Sequence, residues 1–202
     1  MLERIVQQTW AYWFGRALFR FYAKLFLGLR IEGSDNVPRT GRLVLAANHF
    51  SALDPPVVGT CVPREIHFMA KRELFEKGSS TRLFMLMFRV FPVNRTGSDI
   101  GAVRTALKRL KDEMAIGIFI QGTRSADGSA LALNGAAYMA QRAEAPLLPA
   151  AVWREGRRYT VSFGKPLSAA GFEGRTDELT DLLSERINAL LPEGRHIGRR
   201  AA

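Results

Sequence analysis

The sequence predicts a single α/β domain: a central mixed, largely parallel sheet flanked by helices, preceded by an N-terminal amphipathic helical segment that docks on a membrane. Three observations lead there. Apolar runs of strand length alternate with helix-period segments over ~150 residues, the pattern of a layered α/β fold. The chain has 202 residues, the length of one domain with at most a small appendage. Hydrophobic residues make up 47% and charged residues 24%, enough to fill a core and too apolar for a largely disordered chain. The expected division is an N-terminal segment over 1–30, the domain over 31–192 and a basic, frayed tail over 193–202.

In residues 1–30, Trp10, Trp13, Phe14, Ala17, Leu18, Phe21 and Leu25 recur at helical spacing and share a face. Arg16, Arg20 and Lys24 follow one another four apart along a flank, and Phe19 and Phe26 lie on the far side. No run reaches the ~18 uncharged apolar residues of a spanning helix. No small-residue cleavage site follows a clean apolar core, which argues against a signal peptide. Trp and Tyr suit the membrane boundary, and basic residues beside an anionic leaflet contribute about 1 kcal/mol each. An amphipathic helix lying in the bilayer surface fits this pattern. A helix packed on the rest of the domain, or on a second copy, is the competing reading.

A turn at Val37-Pro38 and Gly41 leads into Leu43-Val44-Leu45-Ala46-Ala47, an apolar run that reads as a buried strand. Further strands are expected at 66–70, 90–93, 115–120, 147–152 and 159–163, and helices at about 55–62, 79–88, 98–113, 134–144 and 176–190. Ser98 or Asp99 is placed to cap the third of these helices.

Charge narrows the partners. Lys+Arg number 29 against 19 Asp+Glu, a net charge of +10, and such a surface attracts nucleic acid, anionic lipid or phosphorylated small molecules. No nucleic-acid reading motif is present, so the expectation is no nucleic-acid partner. Three histidines and the single Cys61 leave no zinc site of conventional spacing and no intramolecular disulfide. His67, alternating with apolar neighbours, reads as a packed side chain, and His196 as solvated.

The chemistry is expected where the first long strand ends, at Asn48-His49-Phe50-Ser51-Ala52-Leu53-Asp54-Pro55-Pro56. An imidazole titrating near neutral pH can accept an alcohol proton, and a carboxylate beside it would orient the ring. His49 and Asp54 would diverge by about 140° on a regular helix at ~100° per residue, so they can meet only across a turn. Asp54 before Pro55 also reads as a helix N-cap. Two further segments, Phe91-Pro92-Val93-Asn94-Arg95 and Phe119-Ile120-Gln121-Gly122-Thr123-Arg124-Ser125, each run from an apolar stretch to an arginine able to fork onto a phosphate.

These segments, in this order, resemble the glycerolipid acyltransferase family, in particular its bacterial 1-acyl-glycerol-3-phosphate acyltransferases. Asn48, His49 and Asp54 match its Asn-His-x4-Asp block, and Arg95 the arginine of its second block. Phe119, Gly122, Thr123, Arg124 and Ser125 match its Phe-Pro-Glu-Gly-Thr-Arg-Ser block. The apolar strand around 148–152 matches its proline-containing fourth. The resemblance covers about residues 30–165. It implies transfer of a fatty acyl group from acyl-CoA or acyl carrier protein to a lysophospholipid hydroxyl, most simply that of 1-acyl-sn-glycerol-3-phosphate. It implies His49 as general base, Asp54 as its orienting partner, and a substrate pocket from Asn48, Arg95, Gln121, Gly122, Thr123 and Arg124. No metal or other cofactor is implied beyond the thioester co-substrate. The expected location is peripheral, on the cytoplasmic face of the cell membrane.

The chain departs from the family at Ile120-Gln121, where Pro-Glu is usual, at Leu133-Asn134, where Phe-Lys is common, and at Arg89 and Asn94. Gln121 keeps the carbonyl acceptor and loses the negative charge. A different lyso-lipid acceptor, or a membrane lipid-binding protein of weakened activity, therefore stands as the alternative.

Overall fold

The computed structural model describes residues 9–76, 78–93, 100–125 and 129–198. Its centre is a seven-stranded sheet in the order β1-β7-β6-β2-β5-β3-β4. The strands are β1 (Arg30–Glu32), β2 (Leu43–Ala47), β3 (Ile66–Lys71), β4 (Phe91–Val93), β5 (Ala115–Phe119), β6 (Leu147–Glu155) and β7 (Arg158–Phe163). β6–β2–β5–β3–β4 run parallel, and the β6–β7 hairpin turns the chain antiparallel. The helices are α1 (Thr9–Phe26), α2 (Asp54–Cys61), α3 (Ser79–Met87), α4 (Ile100–Lys111), α5 (Gly135–Ala143) and α6 (Thr176–Asn188).

β2 is apolar at every position because helices cover both of its faces, and all five of its residues are buried. Val44 and Ala46 point into one core with Ala106 and Leu110 of α4, Ala137 and Met139 of α5, and Leu183 and Ile187 of α6. Leu43, Leu45 and Ala47 point into the other with Val57 and Val58 of α2, Phe88 after α3, and Ala23 of α1. Gly117 of β5 leaves space that the Phe68 ring occupies; a Cβ there would stand 2.4 Å from that ring.

α1 buries Ala11, Tyr12 and Ala23. The Ile66 amide donates to the Tyr12 hydroxyl at 3.3 Å, and Phe19 packs edge-on against Phe84 and Phe88. The opposite side is bare: Phe14 is 66% exposed, Leu18 60%, Phe21 66% and Leu25 62%, with Trp10 and Trp13 on the same side. The expected apolar face is thus solvent-facing. The expected basic flank is not. Arg16 donates to Gly59 O at 3.4 Å and to Val62 O, and Arg20 donates to Thr60 O at 2.9 Å. These are carbonyls at the C-terminal end of α2, where orphan acceptors and the negative end of the helix dipole favour cations. Of the three basic residues, only Lys24 stays fully exposed.

The tail differs from expectation as well. Ile197 is buried, and its backbone is held on both sides by Asn188, whose Oδ1 accepts from Ile197 N at 2.7 Å. Gly198 bridges to Leu131. A single large apolar side chain pins a segment whose composition reads as loose. Among the described residues, no helix is long and apolar enough to cross a membrane.

Candidate active site

The C-terminal edge of the parallel strands carries the site. β2 ends at Ala47, and the chain continues as an irregular loop over 48–53 before α2 opens at Asp54. The loop is fastened where it leaves β2. Asn48 Nδ2 donates to Val152 O, and Asn48 Oδ1 accepts from Val152 N, both at 2.7 Å, so its side-chain amide imitates a strand partner for β6. At the next residue, the His49 amide donates to Gln121 Oε1 at 3.0 Å, and Ser125 N donates to His49 O at 2.8 Å.

This loop lets two residues five apart face one another. His49 Nδ1 lies 2.8 Å from Asp54 Oδ2. The same oxygen accepts from the Phe50 and Ser51 amides at 2.8 Å each, and Oδ1 accepts from the Tyr159 hydroxyl. Asp54 is 0% exposed, and a buried carboxylate is tolerated only when its lone pairs are met by donors, as here. The aspartate does not cap the helix it begins. Its carboxylate turns back onto the loop, so the N-cap expectation gives way to a histidine-orienting one. Burial, and then the charge on Asp54, push the Tyr159 hydroxyl well above the ordinary phenol range, keeping it a donor.

The ring of His49 stacks on Phe119 with centroids 4.2 Å apart, and Phe119 stacks on Phe68 at 5.5 Å. The column fixes the imidazole plane. With Nδ1 donating to a carboxylate, Nε2 is left as the accepting nitrogen.

His49 opens onto a cavity of about 840 Å³. Gly122, Thr123 and Arg124 line it on the polar side, with Thr123 and Arg124 exposed. Phe68, Phe84, Met85, Phe88, Val93 and Ile118 line the apolar side. Gly122 sits at φ +63, a left-handed conformation suited to glycine, and a Cβ there would stand 2.6 Å from Leu133. Apolar side chains able to hold a hydrocarbon chain, the Arg124 guanidinium able to fork onto a phosphate, the Glu73 carboxylate and the His49 ring thus line one cavity.

The structure therefore brings His49, Asp54, Gly122, Thr123 and Arg124 together. It places Asn48 and Gln121 elsewhere. Gln121 is buried, with Oε1 on the His49 amide and Nε2 donating to Ala130 O at 3.1 Å. Both residues hold the loop and neither lines the cavity. Arg95, Ser98 and Asp99 lie outside the described residues. Tyr159, 105 positions from its carboxylate, carries no sequence signal for this role. Among the described residues no three His, Cys, Asp or Glu side chains group as metal ligands.

A family model described as Acyltransferase matches residues 28–153. The 1-acyl-sn-glycerol-3-phosphate acyltransferase of Bacillus subtilis (strain 168) is 32% identical over 181 residues, 81% of this chain and 88% of that protein. The 1-acyl-sn-glycerol-3-phosphate acyltransferase alpha of Homo sapiens is 32% identical over 142 residues, 65% of this chain and 48% of the relative, so the chain spans just under half of that protein. The crystal structure of the 1-acyl-sn-glycerophosphate (LPA) acyltransferase from Thermotoga maritima matches with a TM-score of 0.66 and 25% identity, covering 80% of this chain and 70% of that one.

Proposed function

The chain belongs to the acyltransferase family, and on that footing we propose that it moves a fatty acyl group from a thioester, acyl-CoA or acyl carrier protein, to the free hydroxyl of 1-acyl-sn-glycerol-3-phosphate, giving phosphatidic acid. The observation that carries this reading is the 2.8 Å contact between His49 Nδ1 and Asp54 Oδ2 beside a cavity lined by apolar side chains and Arg124.

The acyl chain lies among Phe68, Phe84, Met85 and Phe88, and Arg124 takes the phosphate of the acceptor or the donor. Nε2 of His49 removes the hydroxyl proton as the alcohol oxygen attacks the thioester carbonyl. Asp54 holds the ring in the correct tautomer and stabilises the imidazolium. The tetrahedral intermediate collapses, the carbon–sulfur bond breaks, and the proton on His49 passes to the departing sulfur to give the free thiol. Neither a metal nor a covalent acyl-enzyme enters this scheme.

The exposed aromatic face of α1 supports peripheral attachment to the cytoplasmic leaflet. Because Arg16 and Arg20 are committed to α2, attachment rests on apolar burial more than on basic residues. Phe14→Asp together with Phe21→Asp is expected to release the protein from vesicles in a flotation assay without unfolding it.

The deciding experiment gives the purified chain labelled acyl-CoA and a panel of lysolipids, with products read by mass spectrometry. His49-dependent phosphatidic acid is expected. Absence of any His49-dependent product would sink the reading and favour a lipid-binding protein. Gln121, which motivated that rival, is used for holding the His49 loop, which supports the enzyme.

A further inference from the structure

A second cavity, of about 770 Å³, opens at the N-terminal edge of the strands, opposite the cleft and sharing only Val90 with it. Arg39, Arg64, Arg89 and Arg109 line it together with His67, and the Arg64 guanidinium donates to Pro38 O at 3.3 Å and to Glu113 O at 3.1 Å. They face two carboxylates, of which Glu113 is held by hydrogen bonds and Glu65 only by a long ion pair. Glu113 accepts from the Arg42 amide at 3.0 Å and from its guanidinium at 3.0 and 2.6 Å, while Glu65 Oε2 lies 3.6 Å from Arg89 Nε.

His67 adds a donor. Arg109 donates to its Nδ1, so the ring proton of the neutral imidazole sits on Nε2. Burial, and then the charges of Arg109 and Arg89, push His67 down to about 3, and the ring stays neutral. Burial and then Arg89 also lower Arg109 itself. Guanidiniums crowded this way repel one another, and an entering anion relieves the repulsion. Arg89 also reaches α1, lying 5.7 Å from the centroid of Tyr12, beside the exposed Trp13.

We propose that this cavity binds a phosphate group, carried by a lipid headgroup or by a soluble phosphorylated molecule, among the guanidiniums of Arg39, Arg89 and Arg109, with Arg64 adding positive charge. It is separate from the acyl-transfer cleft, since neither His49 nor Arg124 lines it. The forked donors suit a tetrahedral anion, and the exposed Arg39 guards the mouth.

The test titrates the whole chain with inorganic phosphate, ionic strength being held constant with chloride, and reads binding by calorimetry. Saturable binding is expected, weakened about tenfold in Arg39→Glu and in Arg109→Gln through loss of charge-assisted hydrogen bonds. Arg39 is exposed, so its variant keeps the test valid should Arg109→Gln fold poorly. A parallel arm floats the same proteins on phosphatidylcholine vesicles with and without phosphatidylglycerol. Loss of phosphate affinity together with loss of the phosphatidylglycerol-dependent retention assigns the site to a lipid headgroup. Loss of phosphate affinity with retention unchanged assigns it to a soluble phosphorylated molecule. No saturable phosphate binding by the unaltered chain, or equal affinity in all three proteins, overturns the proposal whatever the vesicles do.

Discussion

His49 and His67 stand at opposite ends of one parallel sheet, the first just beyond β2 and the second near the start of β3. Each meets a charged partner through Nδ1. For His49 the partner is the buried carboxylate of Asp54; for His67 it is the guanidinium of Arg109. The carboxylate fixes Nδ1 as the donor and leaves Nε2 as the acceptor. The guanidinium fixes Nδ1 as the acceptor and leaves Nε2 as the donor, and burial first, then the charges of Arg109 and Arg89, hold His67 neutral down to about 3. The sign of the partner thus decides whether the outer ring nitrogen accepts or donates.

The largest way to break this contrast is His49→Ala, which should lower kcat by ~10²–10⁴ with an unchanged circular dichroism spectrum. Asp54→Asn keeps the shape and offers an amide where the carboxylate was. A drop of up to about 10⁴ in kcat, no larger than that of His49→Ala, is expected through the wrong tautomer, and a near-normal rate would show that the pair is not the proton-handling unit.

Tyr159→Phe sharpens the contrast further. The hydroxyl donates to Asp54 Oδ1, so its removal leaves that buried oxygen without this donor. Urea denaturation should show a loss of about 1–3 kcal/mol, and kcat should fall with KM little changed because the carboxylate that orients His49 is held less firmly. A loss of stability with kcat unchanged would mean that the hydroxyl serves packing alone.

The smallest catalytic effect belongs to His67→Gln, which should leave acyl transfer within about twofold while changing how stability depends on pH, as linkage requires. The unfolded ring takes a proton near 6.5 and the folded ring near 3. Between these values the unfolded state binds more protons. The contribution of this group is therefore fully present above 6.5 and falls as pH drops towards 3, by at most about 1.4 kcal/mol per pH unit. Urea midpoints at pH 7, 5.5 and 4 should show a shallower acid decline in the variant; parallel declines would mean that His67 is charged in the folded state.

Much of the layering was legible because apolar runs covered on both faces, such as Leu43 to Ala47, have few other interpretations. β1 was missed: Arg30, Ile31 and Glu32 are too short and too mixed for a period to show, and pairing with β7 makes them a strand. The His49–Asp54 meeting was legible as a requirement for a turn, whereas the Tyr159 donor depends on a contact across 105 positions. Periodicity put Arg16 and Arg20 on a flank of α1, but it says nothing about which flank meets the end of α2. At Gln121 the change from glutamate suggested a loss at the substrate. The amide instead donates to Ala130 O, which an ionised carboxylate cannot do.

The clasps that Asn48 makes on Val152 and Tyr159 makes on Asp54 set a condition on when the protein becomes competent during synthesis. A nascent chain that has not yet released the β6–β7 hairpin from the ribosome lacks the strand that closes over the aspartate, leaving the carboxylate open to water and the imidazole without its full support. Turnover should therefore switch on only after β7 has emerged.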